Sequence, residues 1–535
     1  MSKRKKRSRK IPMSVKKPVS QYVAFVKSPF KNRPPVMFFP YPSYVGEKKD
    51  EFDRVFFKKQ EDLGPLSLRF KILETTNIYN ALVNSCKAGG MFLIGEKEML
   101  KKRRENQGYD SSDSSDDNED EDCSEFDFNL VWSGGIKDDV LTSLRPYQRI
   151  NHFPNSFNLG RKDEMYKNLL ELEEEFPDDY NFTPKTYVFP QDADEFESDR
   201  NDPNYDSEKE LRLWIFKPSA SSCGKGIKIL TKDSPIPAWK KGFVISEYIS
   251  NPHLIEGLKY DLRVYVLVTS YDPLIIYMYD DGLTRFATEK FSLDEEDFEN
   301  RFVHLTNYSL NKKNDNYQQN KNKQSNNLRA SKWSLKTLQK VFEDHGKDYK
   351  SVKAKMRDVI IKTIISAETK ILEGFDESIK HKNTWFELYG FDIMIDSNLK
   401  AWLIEVNISP SLSSSSPFDK TLKTKLTCDA LTIVGIKPVN HSKYSDSSKS
   451  KSPKSDEKLK NINSITPDNI DDSDINLLLE FEEQIRRTEN FELIFPLKSN
   501  FKKYTKFFGE KRYNNYLLWN HLKDPLLEID SLLNI

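Results

Sequence analysis

Three polar side chains within two short apolar runs have the types and spacing to hold a hard cation. Asp392 lies in Gly390-Phe391-Asp392-Ile393-Met394-Ile395, and Glu405 and Asn407 lie in Ala401-Trp402-Leu403-Ile404-Glu405-Val406-Asn407. Strand side chains alternate, so Glu405 and Asn407 are expected on one face, with Trp402, Ile404 and Val406 on the other. Pairing of the two runs across Asp396-Ser397-Asn398 brings Asp392 to them. Three oxygen donors on a rigid sheet suit Mg²⁺, which keeps positions open for substrate phosphates. The plain alternative is a solvent-facing polar edge. An acid between apolar neighbours is costly to bury unless paired or metal-bound.

A second segment has the composition of a phosphate-covering loop. Lys217 ends the apolar run Leu213-Trp214-Ile215-Phe216, and Ser219-Ala220-Ser221-Ser222-Cys223-Gly224-Lys225-Gly226 follows before Ile227-Lys228-Ile229. Small residues let backbone N–H groups approach anionic oxygens, and an ammonium neutralises them as a point charge. The spacing does not match GxxxxGK[ST] and the loop joins two strands, which argues against a P-loop NTPase; an ordinary glycine-containing hairpin stays open. Lys259-Tyr260-Asp261-Leu262-Arg263 opens a strand, with Asp261 and Arg263 on one face. Arg285 sits in Asp281-Gly282-Leu283-Thr284-Arg285-Phe286, read as a turn, where it binds an anion bidentately or caps the turn. His304-Leu305-Thr306-Asn307-Tyr308-Ser309 is dense in hydrogen-bonding groups; a lone His304 is assigned no chemistry.

The elements that must position these groups are legible as short apolar runs. Leu213–Phe216, Phe243–Ile245, Arg263–Val268, Leu274–Met278, Phe386–Ile395 and Lys400–Ile408 read as strands. Val359, Ile360, Ile364, Ile371 and Leu372 recur at helical spacing within Arg357–Gly374, with Gly374 as the stop. Asn311–Asn327 reads as a polar loop. The 535 residues amount to two to four domains at roughly 150 residues each. Lys plus Arg is 83 and Asp plus Glu is 83, so net charge points to no partner. At 37% hydrophobic and 31% charged, the composition suggests a globular core carrying disordered segments. No window is long and apolar enough to span a membrane, no signal-peptide core follows Met1–Arg7, and four scattered cysteines suggest a reducing compartment.

Taken together, these segments resemble the tubulin tyrosine ligase-like family, and within it the polyglutamylases. The resemblance runs from about Trp132 to Gly435, carried by Arg149-Ile150-Asn151-His152-Phe153-Pro154-Asn155-Ser156-Phe157, Gly160-Arg161-Lys162-Asp163, the Lys217 loop, Lys259–Arg263, His304–Ser309, Phe391–Met394 and Glu405–Leu412. It implies an α+β ATP-grasp fold, two lobes sandwiching ATP, behind a family-type N-terminal domain. The expected division is a basic disordered tail (1–35), an extension (36–127) with an acidic disordered insert (110–125), an N-terminal domain (128–210), the ATP-grasp domain (211–437), a disordered linker (438–475) and a C-terminal helical basic-aromatic segment (476–535).

The resemblance further implies an ATP- and Mg²⁺-dependent ligase joining free L-glutamate to glutamate side chains of tubulin tails through an acyl phosphate. Lys217, Gly224, Ser246, Glu247, Tyr248, Ile249, Lys259, Asp261, Thr306 and Asn307 then contact ATP, and Asp392, Glu405 and Asn407 hold magnesium. Arg285, Tyr308, Ser309, Lys332 and Lys423 receive glutamate, and Arg263 joins Lys217, Arg285 and Glu405 in catalysis. Cys223 stands where an arginine facing the acceptor is usual, and Ser246 where glutamine is usual. A glycylase, a ligase of another acidic protein, and an inactive microtubule-binding protein remain as alternatives. Lys498, Lys502, Lys503, Lys506, Lys511 and Arg512 are expected either as a cationic surface for microtubules or as part of a helix packed on the core. The implied setting is the cytoplasmic cytoskeleton, cilium or basal body, with a monomer and without nucleic acid.

Overall fold

The apolar run Tyr22-Val23-Ala24-Phe25-Val26 forms strand β1 (Tyr22–Val26), paired antiparallel with β2 (Val36–Met37) and β3 (Val55–Lys59). This computed structural model describes residues 22–48, 54–95 apart from 65, 67 and 74, 127–135, 144–202, 212–219, 224–238, 241–323, 327–375, 384–440, 462, 465–527 and 532. Residues 22–35 were expected within a disordered tail; four of the five β1 residues are buried, because Val23 and Phe25 enter one apolar cluster and Ala24 and Val26 pack with Val36 and Phe38 on the other face. Next come β4 (Arg69–Ile72), β5 (Phe92–Leu93), β6 (Leu130–Trp132) and β7 (Arg149–Ile150), a parallel sheet in the order β5-β4-β6-β7. The expected boundary at 127/128 falls inside this sheet, so 36–127 and the residues after it fold together. The acidic insert 110–125 lies outside the described residues.

The next sheet, β10-β9-β11-β8, is antiparallel and consists of β8 (Thr186–Phe189), β9 (Trp214–Pro218), β10 (Lys228–Leu230) and β11 (Phe243–Glu247). The Lys217 loop joins β9 and β10 as a hairpin, as its sequence suggested.

The central sheet is built on one long hairpin. The strands are β12 (Leu254–Ile255), β13 (Leu258–Tyr271), β14 (Leu274–Phe286), β15 (Lys332–Ser334), β16 (Glu387–Ile395), β17 (Ala401–Asn407) and β18 (Phe491–Phe495). They run β15-β14-β13-β16-β17, with β12 on β13 and β18 on β14. The turn expected around Asp281-Gly282 is absent: Arg285 sits within β14, because Asp261, Leu262, Arg263 and Val264 pair with Arg285, Thr284, Leu283 and Gly282 across an irregularity that absorbs the register change.

Alternation along β13 divides two cores: Leu262, Val264, Val266 and Val268 enter one, Tyr265 and Leu267 the other. The first is covered by the helix Tyr349–Ser366, which supplies Val352, Met356, Val359 and Ile360. This helix begins eight residues before its expected start and ends at Ser366; a separate short helix, Glu368–Glu373, reaches Gly374. The second core is covered by the helices Pro417–Val434 and Asp472–Ile485. The latter starts inside the expected linker, capped by the Asp471 side chain. Most of the rest of that linker, 441–461, lies outside the described residues.

The C-terminal segment is not wholly helical, since β18 extends the central sheet. Three of its cations pair with acids of other elements: Lys503 with Asp358, Lys506 with Asp179, and Arg512 with the fully buried Glu368. Arg512 is packed on the core, whereas about half of the Lys503 and Lys506 side chains stays exposed. Among the described residues no helix is long and apolar enough to cross a membrane.

Candidate functional site

The β9–β11 sheet and the central sheet face each other across a cleft of about 850 Å³, partly open to solvent. Lys217, Gly224, Glu247, Tyr248, Ile249, Lys259, Asp261, Thr306 and Asn307 line it, together with Asp392 and Glu405. Residues distant in sequence therefore converge, but two of the expected nucleotide and metal residues, Ser246 and Asn407, do not line the cleft. Ser246 is fully buried behind the wall, where its Oγ accepts from Thr186 Oγ1 at 2.9 Å and from Lys217 Nζ at 3.3 Å. Alternation on β11 turns it toward the lysine rather than the cleft, so Ser246 positions Lys217.

The far wall carries the carboxylates. Asp392 and Glu405 are register partners on β16 and β17. The Asn407 amide nitrogen donates to Glu405 Oε1 and to the Gly390 carbonyl, both at 3.2 Å, which fixes the carboxamide beside Glu405. Strict alternation fails here. A bulge between the Asp392 and Ile393 pairs sets Ile393 opposite Leu403, so Ile404 joins Glu405 in lining the cleft while Leu403 and Val406 both enter the core. Among the described residues no three His, Cys, Asp or Glu are grouped to hold a metal. Two carboxylates and a carboxamide fit Mg²⁺ only if phosphate oxygens complete its octahedron.

Cations surround these acids. Lys162 Nζ lies 2.8 Å from Glu405 Oε2, Arg263 grips Asp392 through Nε and Nη2, and Arg285 bridges Asp261 and Asp392. Burial raises the Asp392 carboxyl against the pull of Arg263 and Arg285, with Glu405 adding repulsion. Burial also opposes ionisation of Glu405, yet Lys162 and the hydrogen bond with Asp392 hold it well below the usual carboxylate range. On the opposite side, burial lowers the Lys259 ammonium to about 7 against the attraction of Asp261, with Lys217 adding repulsion. Lys259 donates to the Tyr248 hydroxyl at 2.8 Å, and that hydroxyl meets His304 Nδ1 at 2.8 Å. Burial lowers the His304 imidazole to about 4, so it lines the cleft uncharged at neutral pH.

The covering loop is described from Gly224 onward; Cys223 lies outside the described residues. Gly224 has φ +70°, and a Cβ there would stand 2.8 Å from Asn307 Oδ1. Only glycine both adopts that backbone and lets Asn307 approach. Arg301 anchors the loop by donating to the Gly224 carbonyl.

Next to the cleft, and joined to it by Arg285, is a second cationic group. Arg285 and Lys332 are register partners on β14 and β15. Lys332 Nζ stands 3.9 Å above the Tyr308 ring and 3.1 Å from Asp419 Oδ2. Lys423 Nζ approaches Asp419 Oδ1 at 3.6 Å and donates to the Ser413 carbonyl at 2.6 Å. Ser309 follows Tyr308 on the short helix Tyr308–Asn311. Burial works against Asp419 ionising, but Lys423 and Lys332 hold its carboxyl near 2; burial lowers Lys423 to about 8 despite Asp419. Across both groups Lys162, Lys217, Lys259, Arg263, Arg285, Lys332 and Lys423 face Asp261, Asp392, Glu405 and Asp419. The excess of cations favours anionic ligands.

Lys162, Asp419, Met394 and Ile404 were missed as site residues. Lys162 precedes Asp163 at a helix start, where sequence gives no hint that it crosses to Glu405. Asp419 occupies a helix first turn capped by Ser416, a pattern that fully explains an aspartate without any site.

A family model described as the tubulin-tyrosine ligase family matches residues 141–444. Tubulin monoglutamylase TTLL4 of Homo sapiens is 37% identical over 72% of this chain and 34% of its own length. Tubulin polyglutamylase TTLL5 of Mus musculus is 35% identical over 75% of this chain and 32% of its own. Tubulin polyglutamylase ttll-4 of Caenorhabditis elegans is 33% identical, covering 72% and 65%. The chain thus spans about a third of the length of the first two relatives.

Proposed function

The chain belongs to the tubulin-tyrosine ligase family, and from that premise we propose that it is an ATP-dependent tubulin polyglutamylase of ATP-grasp architecture. What carries the reading is the adjacency of two sites: a cleft pairing Lys217 and Lys259 with Asp392 and Glu405, and the Arg285-Lys332-Lys423 group beside it. The first suits a nucleotide triphosphate and the second a dicarboxylic amino acid.

Glu247, Tyr248 and Ile249, where β11 leaves its sheet, would face the adenine, while Lys217, Lys259, Thr306, Asn307 and the Gly224 loop would hold the phosphates. Asp392, Glu405 and Asn407 would hold magnesium, which when bound neutralises phosphate charge and orients the terminal phosphoryl. Lys162 and the two arginines that now engage those acids would then turn toward phosphate oxygens. Arg263 is placed to stabilise the transferring phosphoryl.

The acceptor γ-carboxylate takes that phosphoryl, giving an acyl phosphate; the amine of free glutamate attacks the acyl carbon, phosphate leaves, and an amide bond forms. No nucleophilic side chain is required, and positioning with electrostatic stabilisation supplies the rate. Arg285, Lys332 and Lys423, with Tyr308 and Ser309, hold the incoming glutamate by its carboxylates. Three cations there favour glutamate over glycine. The setting is the cytoskeleton.

The test is incubation of the full chain with tubulin, ATP and labelled glutamate or glycine, followed by mass spectrometry of the tails. Glutamate chains on tubulin support the reading; label from glycine alone, or from neither, overturns it.

A further inference from the structure

At the turn end of the β13–β14 hairpin is a second cavity, open to solvent on one side. Thr269 is eight residues from Asp261, roughly 26 Å along an extended strand, so this cavity is separate from the cleft. Its deepest charged group is Arg149, only 8% exposed. Nη1 donates to the Pro146 and Gln148 carbonyls at 3.2 and 3.1 Å, whereas Nε and Nη2 have no hydrogen-bond partner among the described residues. Neither nitrogen is sealed from solvent, so both are free to donate to an anion that enters the cavity. Beside it, Gln484 Oε1 accepts from the Thr269 hydroxyl at 2.9 Å and from the Tyr277 hydroxyl at 3.4 Å. That fixes the carboxamide so that its NH₂ is left to donate. Trp385, Phe386 and Phe481 supply apolar walls, and Glu480, paired with Lys437 at 3.3 Å, is a third exposed at the mouth. Arg149 and Glu480 make no ion pair within 4 Å, so the two charges stand apart across the cavity.

We propose that this cavity binds an apolar α-amino acid as its zwitterion, with the carboxylate on Arg149 and Gln484, the ammonium toward Glu480, and the side chain against Trp385, Phe386 and Phe481. A cation deep inside, an anion at the rim and an apolar wall between them match that one class of molecule. Nothing in the proposed ligase chemistry uses this site.

Calorimetric titration of the full chain with L-phenylalanine, L-leucine and 2-phenylethylamine tests the assignment. Both amino acids should bind one to one, and the amine, which lacks a carboxylate, should not. Arg149→Gln should weaken L-phenylalanine at least tenfold without changing ligase turnover. Should that variant fold poorly, Leu477→Trp fills the cavity from its half-buried lip and should abolish binding with Arg149 in place. Lys332→Met, in the glutamate group, should leave L-phenylalanine binding unchanged. No binding of either amino acid, equal binding of the amine, unchanged affinity in Leu477→Trp, or loss in Lys332→Met would overturn the proposal.

Discussion

Replacing Lys259 with methionine should make the ligand-free protein more stable while removing a phosphate contact. Lys259 is 2% exposed, and burial brings its ammonium from 10.5 to about 7. At ~1.4 kcal/mol per pH unit, holding this charge in the fold costs about 5 kcal/mol at low pH. Methionine forfeits the hydrogen bond to Tyr248 and the ammonium–ring contact at 4.3 Å, together about 2 kcal/mol. The Tyr248 hydroxyl is not orphaned, because His304 still meets it. The net expectation is a gain of about 3 kcal/mol below pH 7.

The sign follows from linkage. The folded state binds the lysine proton more weakly than the unfolded chain does, so the cost is complete below about pH 7 and fades as pH rises toward 10.5. The variant's advantage in thermal melting should therefore be largest at pH 6 and shrink steadily to pH 10. ATP should restore the charge, so at pH 8 the wild type takes up a proton on binding. That uptake appears as a calorimetric heat that varies with buffer ionisation enthalpy. A variant that melts at or below wild type at pH 6, or an advantage independent of pH, would refute the reasoning.

Glu405→Gln should lower glutamate incorporation by at least ~10³-fold with the circular dichroism spectrum kept, while melting falls because Lys162 loses its counter-charge. Ser246→Ala should raise the KM for ATP severalfold with kcat little changed, since it loosens Lys217 without touching the cleft; an unchanged KM removes its positioning role. Arg512→Ala leaves the buried Glu368 carboxyl unpaired and should cost about 3–5 kcal/mol in urea unfolding. Lys503→Ala, at an exposed pair, should cost less than about 1 kcal/mol by the same measurement.

The sequence by itself determined much of the site's chemistry. Acids and lysines set among apolar strand residues are expensive to bury without partners, so Lys217, Asp261, Asp392 and Glu405 stood out, and the cleft does gather them. The β16–β17 turn was equally legible, since Asp396 accepts from the Asn398 and Lys400 amides as a local motif. Only the tertiary structure decided which face each residue took. The bulge at Ile404 breaks the period-two rule that local pattern relies on, and the supposed turn at Gly282 is strand because β13 supplies hydrogen-bond partners across it. Partners distant in sequence were equally invisible: Lys162 on Glu405, Asp419 between two lysines, and the C-terminal cations on Asp358, Asp179 and Glu368. Charge and apolarity are properties of a residue and can be read from its letter. Which counter-charge meets it, and from which side, depends on how distant strands register, and that is settled only when the whole chain packs.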